Sequence, residues 1–278
     1  MLNVENPNSI EETVAVQGSV EEVSSGEVER ALRRMKLGKV NGSSGLSADL
    51  LKAAGESVIP RLVVIFNEIL STSTSPEERT HSVTVPIFKG KGDPLFCSKY
   101  RVVCILEHGM KIWEKVLAVR LGVLTNIHGS QFGFMPGKST TDAIFCLRHI
   151  QTMYRAKNKL LYHIFINLEN AFDRVPISAI QWALRRQGVP ELLVRAVMQL
   201  YVGWSTRVLA AGGLSDGFEI GVGVHQGSVL SPLLFNLVLE EATEECTRGA
   251  PWSMLYADDL VLTAETHPRV VDEFGRWL

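Results

Sequence analysis

Residues 163–176 read HIFINLENAFDRVP, and residues 254–262 read MLYADDLVL. In the second stretch two acids, Asp258 and Asp259, interrupt an apolar run, with Leu255 and Tyr256 before them and Leu260, Val261 and Leu262 after. Adjacent carboxylates held inside such a run repel one another and resist desolvation. A tight turn over Ala257–Asp259 removes both difficulties by bringing the acids to the edge of a sheet, and a divalent cation would offset their repulsion. The competing reading is an exposed hairpin in which Asp is merely a good turn former. In the first stretch, LLYHIFINL (160–168) is short and rich in β-branched and aromatic residues, which predicts a buried strand. Where an acid would complete the carboxylate cluster, this strand carries Asn167.

Working outward, residues 160–278 read as strand, helices, a small hairpin, helix and hairpin. Ser178 caps a helix ending at Gly188-Val189-Pro190, and a second helix covers 191–202. TRVLAAGGLSDGFEIGVGV (206–224) is a hairpin around Gly212-Gly213 and Gly217. SPLLFNLVLEEATEEC (231–246) opens with a Ser cap and Pro at the first helical position. The pattern is α+β, an antiparallel sheet covered on one face by helices. Before it, residues 1–23 read as a polar tail. Ser24 and Glu27 have capping-box spacing ahead of Val28, Leu32 and Met35. Short helices follow Ser47 and Pro60. SVTVPIFKGKGD (82–93) is a strand leaving into a Gly/Lys loop, and Met110, Trp113, Leu117 and Leu121 recur at helical spacing. STTDAIFCLRHIQTMYRA (139–156) is a further helix.

The 278 residues are 46% hydrophobic and 21% charged, ordinary globular composition. The net charge of −2 is unevenly spread. Residues 83–159 hold 12 Lys+Arg against 4 Asp+Glu, whereas residues 160–278 hold 8 against 14. A basic middle beside an acidic third suits a protein that holds a polyanion with one part and metal ions with another. It equally suits two solvated surfaces of opposite bias. Cys97, Cys104, Cys146 and Cys246 form no C-x-x-C pair and read as reduced core thiols. No apolar run reaches membrane length, and the acidic N-terminus lacks signal-peptide order. An intracellular, soluble protein is expected.

Two further stretches add possible chemistry. In HQGSVLSP (225–232), Gly227 permits close backbone approach and Gln226 offers an amide at a loop leading into a capped helix. QFGFMPGKSTTDA (131–143) interleaves aromatics with glycines and Lys138. It is compatible with a nucleic-acid groove and equally with a packed loop.

VPIFKGKGD, KYRVVCILEHGMKIWEKVLAVRL, QFGFMPGKSTTDAIF, FINLENAFDRVP, GVGVHQGSVLSPLLFNLVLE and YADDLVLTAE, in this order, resemble the reverse transcriptases of non-LTR retrotransposons. The resemblance runs from about residue 25 to the C-terminus. It implies a right-hand polymerase of fingers and palm that copies an RNA template into DNA, using a DNA primer, deoxynucleoside triphosphates and two Mg²⁺ ions. Residues 24–80 would be a helical extension of the fingers, 81–159 the fingers and 160–278 the palm, with 83–278 forming the reverse transcriptase domain. Asp258 and Asp259 take the place of the paired metal ligands and Asn167 that of the third acid. The backbone carbonyl of Leu168 looks like a further ligand. Phe172 matches the bulky gate against a ribose 2′-hydroxyl, and Gln226 and Gly227 match the loop against nucleotide and template. Lys89 or Lys91, with Arg101, matches the finger residues that reach the triphosphate, where a guanidinium pairs bidentately with phosphate and an ammonium acts as a point charge.

The departures from the family pattern point to impaired catalysis. An amide oxygen at residue 167 brings no negative charge to hard cations that depend on carboxylates. VNGSSG (40–45) replaces a loop that usually carries a Gly-Pro step, and Arg79 stands where tryptophan is frequent. Val102 and Cys104 follow Arg101 where glycine or proline and a polar residue are usual. The chain stops soon after the acidic hairpin, so the thumb and the endonuclease region of a parent polyprotein are expected to be missing. The alternatives are a catalytically dead module that binds RNA or an RNA–DNA hybrid, and the non-functional product of a pseudogene. Nuclear residence is what the family implies; no localisation signal is visible.

Overall fold

The computed structural model describes residues 10, 12–42, 44–74, 81–247 and 253–277; Arg79 lies outside them. The described chain mixes ten α-helices with eight strands in two sheets, one mixed and one antiparallel, so the α+β expectation holds. It divides into two units, 1–125 with 172–231, and 126–171 with 232–278.

In the first unit, α1 (Ser25–Arg33), α2 (Ala48–Ala54) and α3 (Ile59–Thr72) precede β1 (His81–Phe88), β2 (Tyr100–Ile105) and α4 (His108–Leu124). The expected capping box forms: the Ser24 hydroxyl accepts from the Glu27 N–H and the Glu27 carboxylate accepts from the Ser24 N–H. Helix α4 buries Met110, Trp113, Leu117 and Leu121 as their spacing predicts, and the Trp113 ring stacks on Phe66 of α3 at 5.1 Å. Stacked aromatics that also bury their full area make this the centre of the helical core.

Among the described residues ahead of α1, 10 and 12–24, there is no helix or strand, yet the stretch from Thr13 to Val23 is fastened at several points. Arg185 Nη1 donates to the Thr13 carbonyl at 3.0 Å and the Glu191 N–H to Val16 at 2.9 Å. Arg120 donates to the carbonyls of Glu21 and Glu22 at 2.7 and 2.9 Å. Asn67 exchanges two bonds with Val23, at 2.6 and 3.1 Å.

The unit's sheet runs β2-β1-β4-β5, with β4 at Ser205–Ala210 and β5 at Gly213–Leu214; β6 (Phe218–Glu219) also pairs with β4. The expected hairpin is present as β4 with β5 and β6. Its partner on the other side is β1, in a parallel ladder from His81↔Ser205 to Thr84↔Val208. Polar side chains line this seam and satisfy one another: Thr84 and Thr206 hydroxyls lie 2.8 Å apart, and Trp204 Nε1 donates to Ser82 Oγ at 3.2 Å. The short α6 (Ala171–Arg174), α7 (Ile177–Arg186) and α8 (Glu191–Met198) carry the chain towards β4.

In the second unit, α5 (Thr140–Ala156) leads to β3 (Tyr162–Asn167), and α9 (Ser231–Thr247) precedes β7 (Ser253–Tyr256), β8 (Asp259–Ala264) and α10 (His267–Arg276). The three strands form an antiparallel sheet in the order β3-β8-β7. Period-2 alternation sends Tyr162, Ile164 and Ile166 of β3 to one face, where they pack with Leu260, Leu262 and Val270 and with Phe274 and Trp277 of the α10 segment. The opposite face keeps Phe165 67% exposed. Helices therefore cover one face of this sheet.

Candidate functional site

The register of β3 against β8 sets Asn167 directly opposite Asp259. The Asn167 amide Nδ2 donates to Asp259 Oδ1 at 2.9 Å, and both residues are exposed. An ionised carboxylate can only accept, so the nitrogen, not the oxygen, of the amide faces it. Asp258 occupies the turn, and its carbonyl accepts from the Leu168 N–H at 3.0 Å, tying the end of β3 to the hairpin tip. The β7–β8 turn is tight, as expected: Tyr256 pairs with Asp259, leaving Ala257 and Asp258 as the central residues.

The side-chain pair seen here sets the Asp259 carboxylate against an amide that presents hydrogens, beside the turn that carries Asp258. Among the described residues no group of three His, Cys, Asp or Glu side chains could hold a metal ion. Two divalent ions that depend on shared carboxylates are a poor fit to such a pair.

The turn is held from a direction that sequence reading missed. Residues 130–132 run parallel to β7, with the Leu255 N–H donating to Ser130 at 3.0 Å and the Phe132 N–H to Leu255 at 2.8 Å. A Cβ on Gly133 would lie 2.8 Å from the Tyr256 carbonyl carbon and closer still to the Ala257 nitrogen. Glycine is required for this approach. Lys138 Nζ donates to the carbonyls of Gly129 and Gln131, at 2.6 and 2.8 Å, and sits 5.1 Å from the Phe132 ring. Of the two readings of QFGFMPGK, the packed loop is the one these bonds describe.

In the first unit, Lys89 and Arg101 both belong to the β1–β2 hairpin, where Ile87 pairs with Arg101. Lys89 Nζ donates to the Ser98 carbonyl at 3.1 Å. Arg101 and Lys91 are exposed. Gln226 and Gly227 lie against the same hairpin: the Cys104 N–H donates to the Gln226 carbonyl at 2.6 Å. Gln226 Nε2 donates to Asp173 Oδ1 at 2.5 Å. Burial raises the Asp173 carboxyl above its ordinary range, while Gln226 and the charge of Lys89 pull it back down. The Phe172 carbonyl accepts from the Val224 N–H at 2.8 Å. Within this unit Gln226 and Gly227 thus lie against β2 at Cys104, and Asp173 of α6, next to Phe172, ties them to the neighbourhood of Lys89; Arg101 stands on the same β1–β2 hairpin. Asp173, the residue that orients the Gln226 amide, is the member that sequence reading left out.

Gly227 has φ +117°, and a Cβ there would stand 2.6 Å from the Cys104 carbonyl oxygen. Gly227→Ala is therefore expected to lower unfolding stability by about 2 kcal/mol, through left-handed strain and collision with a backbone that cannot yield. Urea unfolding of the two chains checks this.

A second missed residue braces the same loop. Glu114 of α4 is 1% exposed, and its carboxylate accepts from the Val229 N–H at 2.9 Å. Burial drives its pKa up to about 7, against the opposing pull of that bond, of Ser228 and of Lys111 and Lys115. Next to Gln226 in the chain, His225 is buried between Tyr201, stacked at 4.6 Å, and Trp204, edge-on at 3.9 Å. Burial lowers its pKa to about 3. No helix among the described residues is long and apolar enough to cross a membrane.

A model of the family described as "Reverse transcriptase (RNA-dependent DNA polymerase)" matches residues 88–278. The chain is 28% identical over 271 residues to the "Retrovirus-related Pol polyprotein from type-2 retrotransposable element R2DM" of Drosophila melanogaster, covering 92% of this chain and 25% of that protein. It is 26% identical over 252 residues to the "Putative 115 kDa protein in type-1 retrotransposable element R1DM" of the same organism, covering 89% and 24%. It is likewise 26% identical over 250 residues to the "RNA-directed DNA polymerase from mobile element jockey" of Drosophila funebris, covering 86% and 27%. The chain spans about a quarter of the length of these curated relatives. With more than half of its residues inside the family match, the chain belongs to the reverse transcriptase (RNA-dependent DNA polymerase) family, of the kind found in non-LTR retrotransposons.

Proposed function

We propose that this chain is a fingers–palm module built for RNA-templated DNA synthesis, with its nucleotidyl transfer impaired at residue 167. The observation that carries the reading is the Asn167–Asp259 hydrogen bond. It supports a shared site at the strand positions that the resemblance implies, and it fills that site with an amide hydrogen instead of a second anionic oxygen. In the intact reaction two Mg²⁺ ions would activate the primer hydroxyl and hold the triphosphate. The residues present do not supply that pair of ions with the charge it needs. Lys89, Arg101, Gln226 and Gly227 are proposed to contact the incoming deoxynucleoside triphosphate and Phe172 to exclude the ribose 2′-hydroxyl. RNA template and DNA primer are the proposed partners.

The same bond favours a second reading, a binding module without catalysis. Its basic segment 83–159 would hold an RNA–DNA hybrid, with affinity falling steeply as salt rises. Primer extension by this chain and by Asn167→Asp separates the readings. Extension by the variant alone supports the impaired polymerase, and equal extension by both refutes the impairment. Extension by neither, with salt-dependent hybrid binding retained, favours the binding module.

A further inference from the structure

We infer that Gln131 is a positioning residue for the Asp258–Asp259 hairpin, acting as a hydrogen-bond clamp on its strained turn; the inference rests on the polymerase reading of that hairpin. Ala257 has φ +56°, the left-handed region, at the first central position of a two-residue hairpin turn. That position ordinarily takes glycine, because a side chain there meets the backbone. Ala257 is also 4% exposed, so its N–H has no water to turn to.

Gln131 satisfies that N–H and so holds the turn in its strained form. Its Oε1 accepts from the Ala257 N–H at 3.0 Å and from the Gly133 N–H at 2.8 Å. Both partners are donors, so the amide oxygen must face them. Gln131 is itself 3% exposed, and its backbone lies beside Leu255 in the parallel bridge to β7. The clamp is anchored on its far side by Asn236 of α9, whose Nδ2 donates to the Gly133 carbonyl at 2.8 Å. Asn236 is 1% exposed and its Oδ1 is buried with no hydrogen-bond partner among the described residues. With Oδ1 unsatisfied, the bond from Nδ2 to the Gly133 carbonyl is what offsets the cost of burying this amide. The run from Asn236 through Gly133 and Gln131 to Ala257 therefore fixes the residue immediately before Asp258. Small rotations at Ala257 swing the two carboxylates that follow it, and catalytic groups tolerate little displacement.

Hydrogen exchange on the intact chain tests the clamp. Gln131→Met keeps the length and apolar stem but removes the acceptor. It is expected to speed exchange in peptides spanning 255–260 by about tenfold, while peptides from α4 keep their rate. Gln131→Glu, which retains acceptor oxygens, is expected to restore protection, and Ala257→Gly added to Gln131→Met relieves the turn if the single variant folds poorly. Unchanged exchange at 255–260 in Gln131→Met overturns the inference.

A second measurement uses the Asn167→Asp background. Gln131→Met is expected there to lower kcat about tenfold with KM for the nucleotide unchanged, the split that misplaced carboxylates produce and that general loosening does not. A fall confined to KM overturns the positioning role. If Asn167→Asp shows no extension, the polymerase reading fails, and the exchange measurement alone decides the clamp.

Discussion

Asn167→Asp is expected to raise nucleotide incorporation by roughly a thousandfold over this chain, several kcal/mol of transition-state stabilisation at about 1.4 kcal/mol per decade. The position is right for it. Residue 167 pairs with Asp259 across β3 and β8, and the side chains already touch at 2.9 Å. Replacing the amide by a carboxylate converts a neutral donor against Asp259 into a second anion, and two such anions in one site repel one another unless a cation or a shared proton lies between them. The same change should therefore make thermal stability respond to Mg²⁺ or Mn²⁺, where the parent chain responds weakly. Single-turnover primer extension at saturating nucleotide checks the first expectation and melting with and without metal the second. Adding Asp259→Asn to the Asn167→Asp variant should return extension to the parent level.

Glu114→Gln is expected to change how stability depends on pH. In the folded chain the Glu114 pKa lies at about 7, above its ordinary 4.5, because burial disfavours the anion. A carboxyl raised in this way contributes stability that is full below pH 4.5 and is lost as pH climbs through 7. The loss between about pH 5 and about pH 8 is about 2–3 kcal/mol. His225 works in the opposite sense. Its pKa of about 3 against an ordinary 6.5 means the unfolded chain takes up a proton first, so stability is lost as pH falls from 6.5. The two groups flank the Gln226–Gly227 loop and mask one another in the parent chain between pH 4.5 and 6.5. Urea unfolding at about pH 5 and about pH 8 should show the variant's gain over the parent growing by about 2–3 kcal/mol between them. A gain that is the same at both pH values would mean that Glu114 does not titrate in this window.

The acidic hairpin was legible in two carboxylates flanked on both sides by apolar residues, and β3 in its short β-branched and aromatic run, although that run predicts a buried strand and one face of β3 is open, with Phe165 67% exposed. That Asn167 belongs with this hairpin was implied by the family resemblance alone; its register opposite Asp259 was not legible. Helix α4 was legible in the recurrence of Met110, Trp113, Leu117 and Leu121. Glu114 sits on that same stripe, three residues before Leu117, so a charge on an apolar face was the available signal. Asn236 within SPLLFNLVLE offered the same signal. Gln131 offered none, since its role depends on an N–H contributed by Ala257, 126 residues later. Nor could the β1–β4 ladder be read, because strand propensity says that a segment is extended and not which remote segment lies beside it.

That ladder governs how the polypeptide can be made. Strand β1 is complete by Phe88, but its second neighbour arrives only with Ser205. Throughout the intervening synthesis its open edge, with Ser82 and Thr84 awaiting their counterparts, is free to pair with any other extended chain. Late, sequence-distant closure of this kind is slow. Nascent copies should therefore lean on chaperones until translation passes β4, and pieces released before that point should aggregate, whereas pieces ending beyond Glu219 have every strand of that sheet.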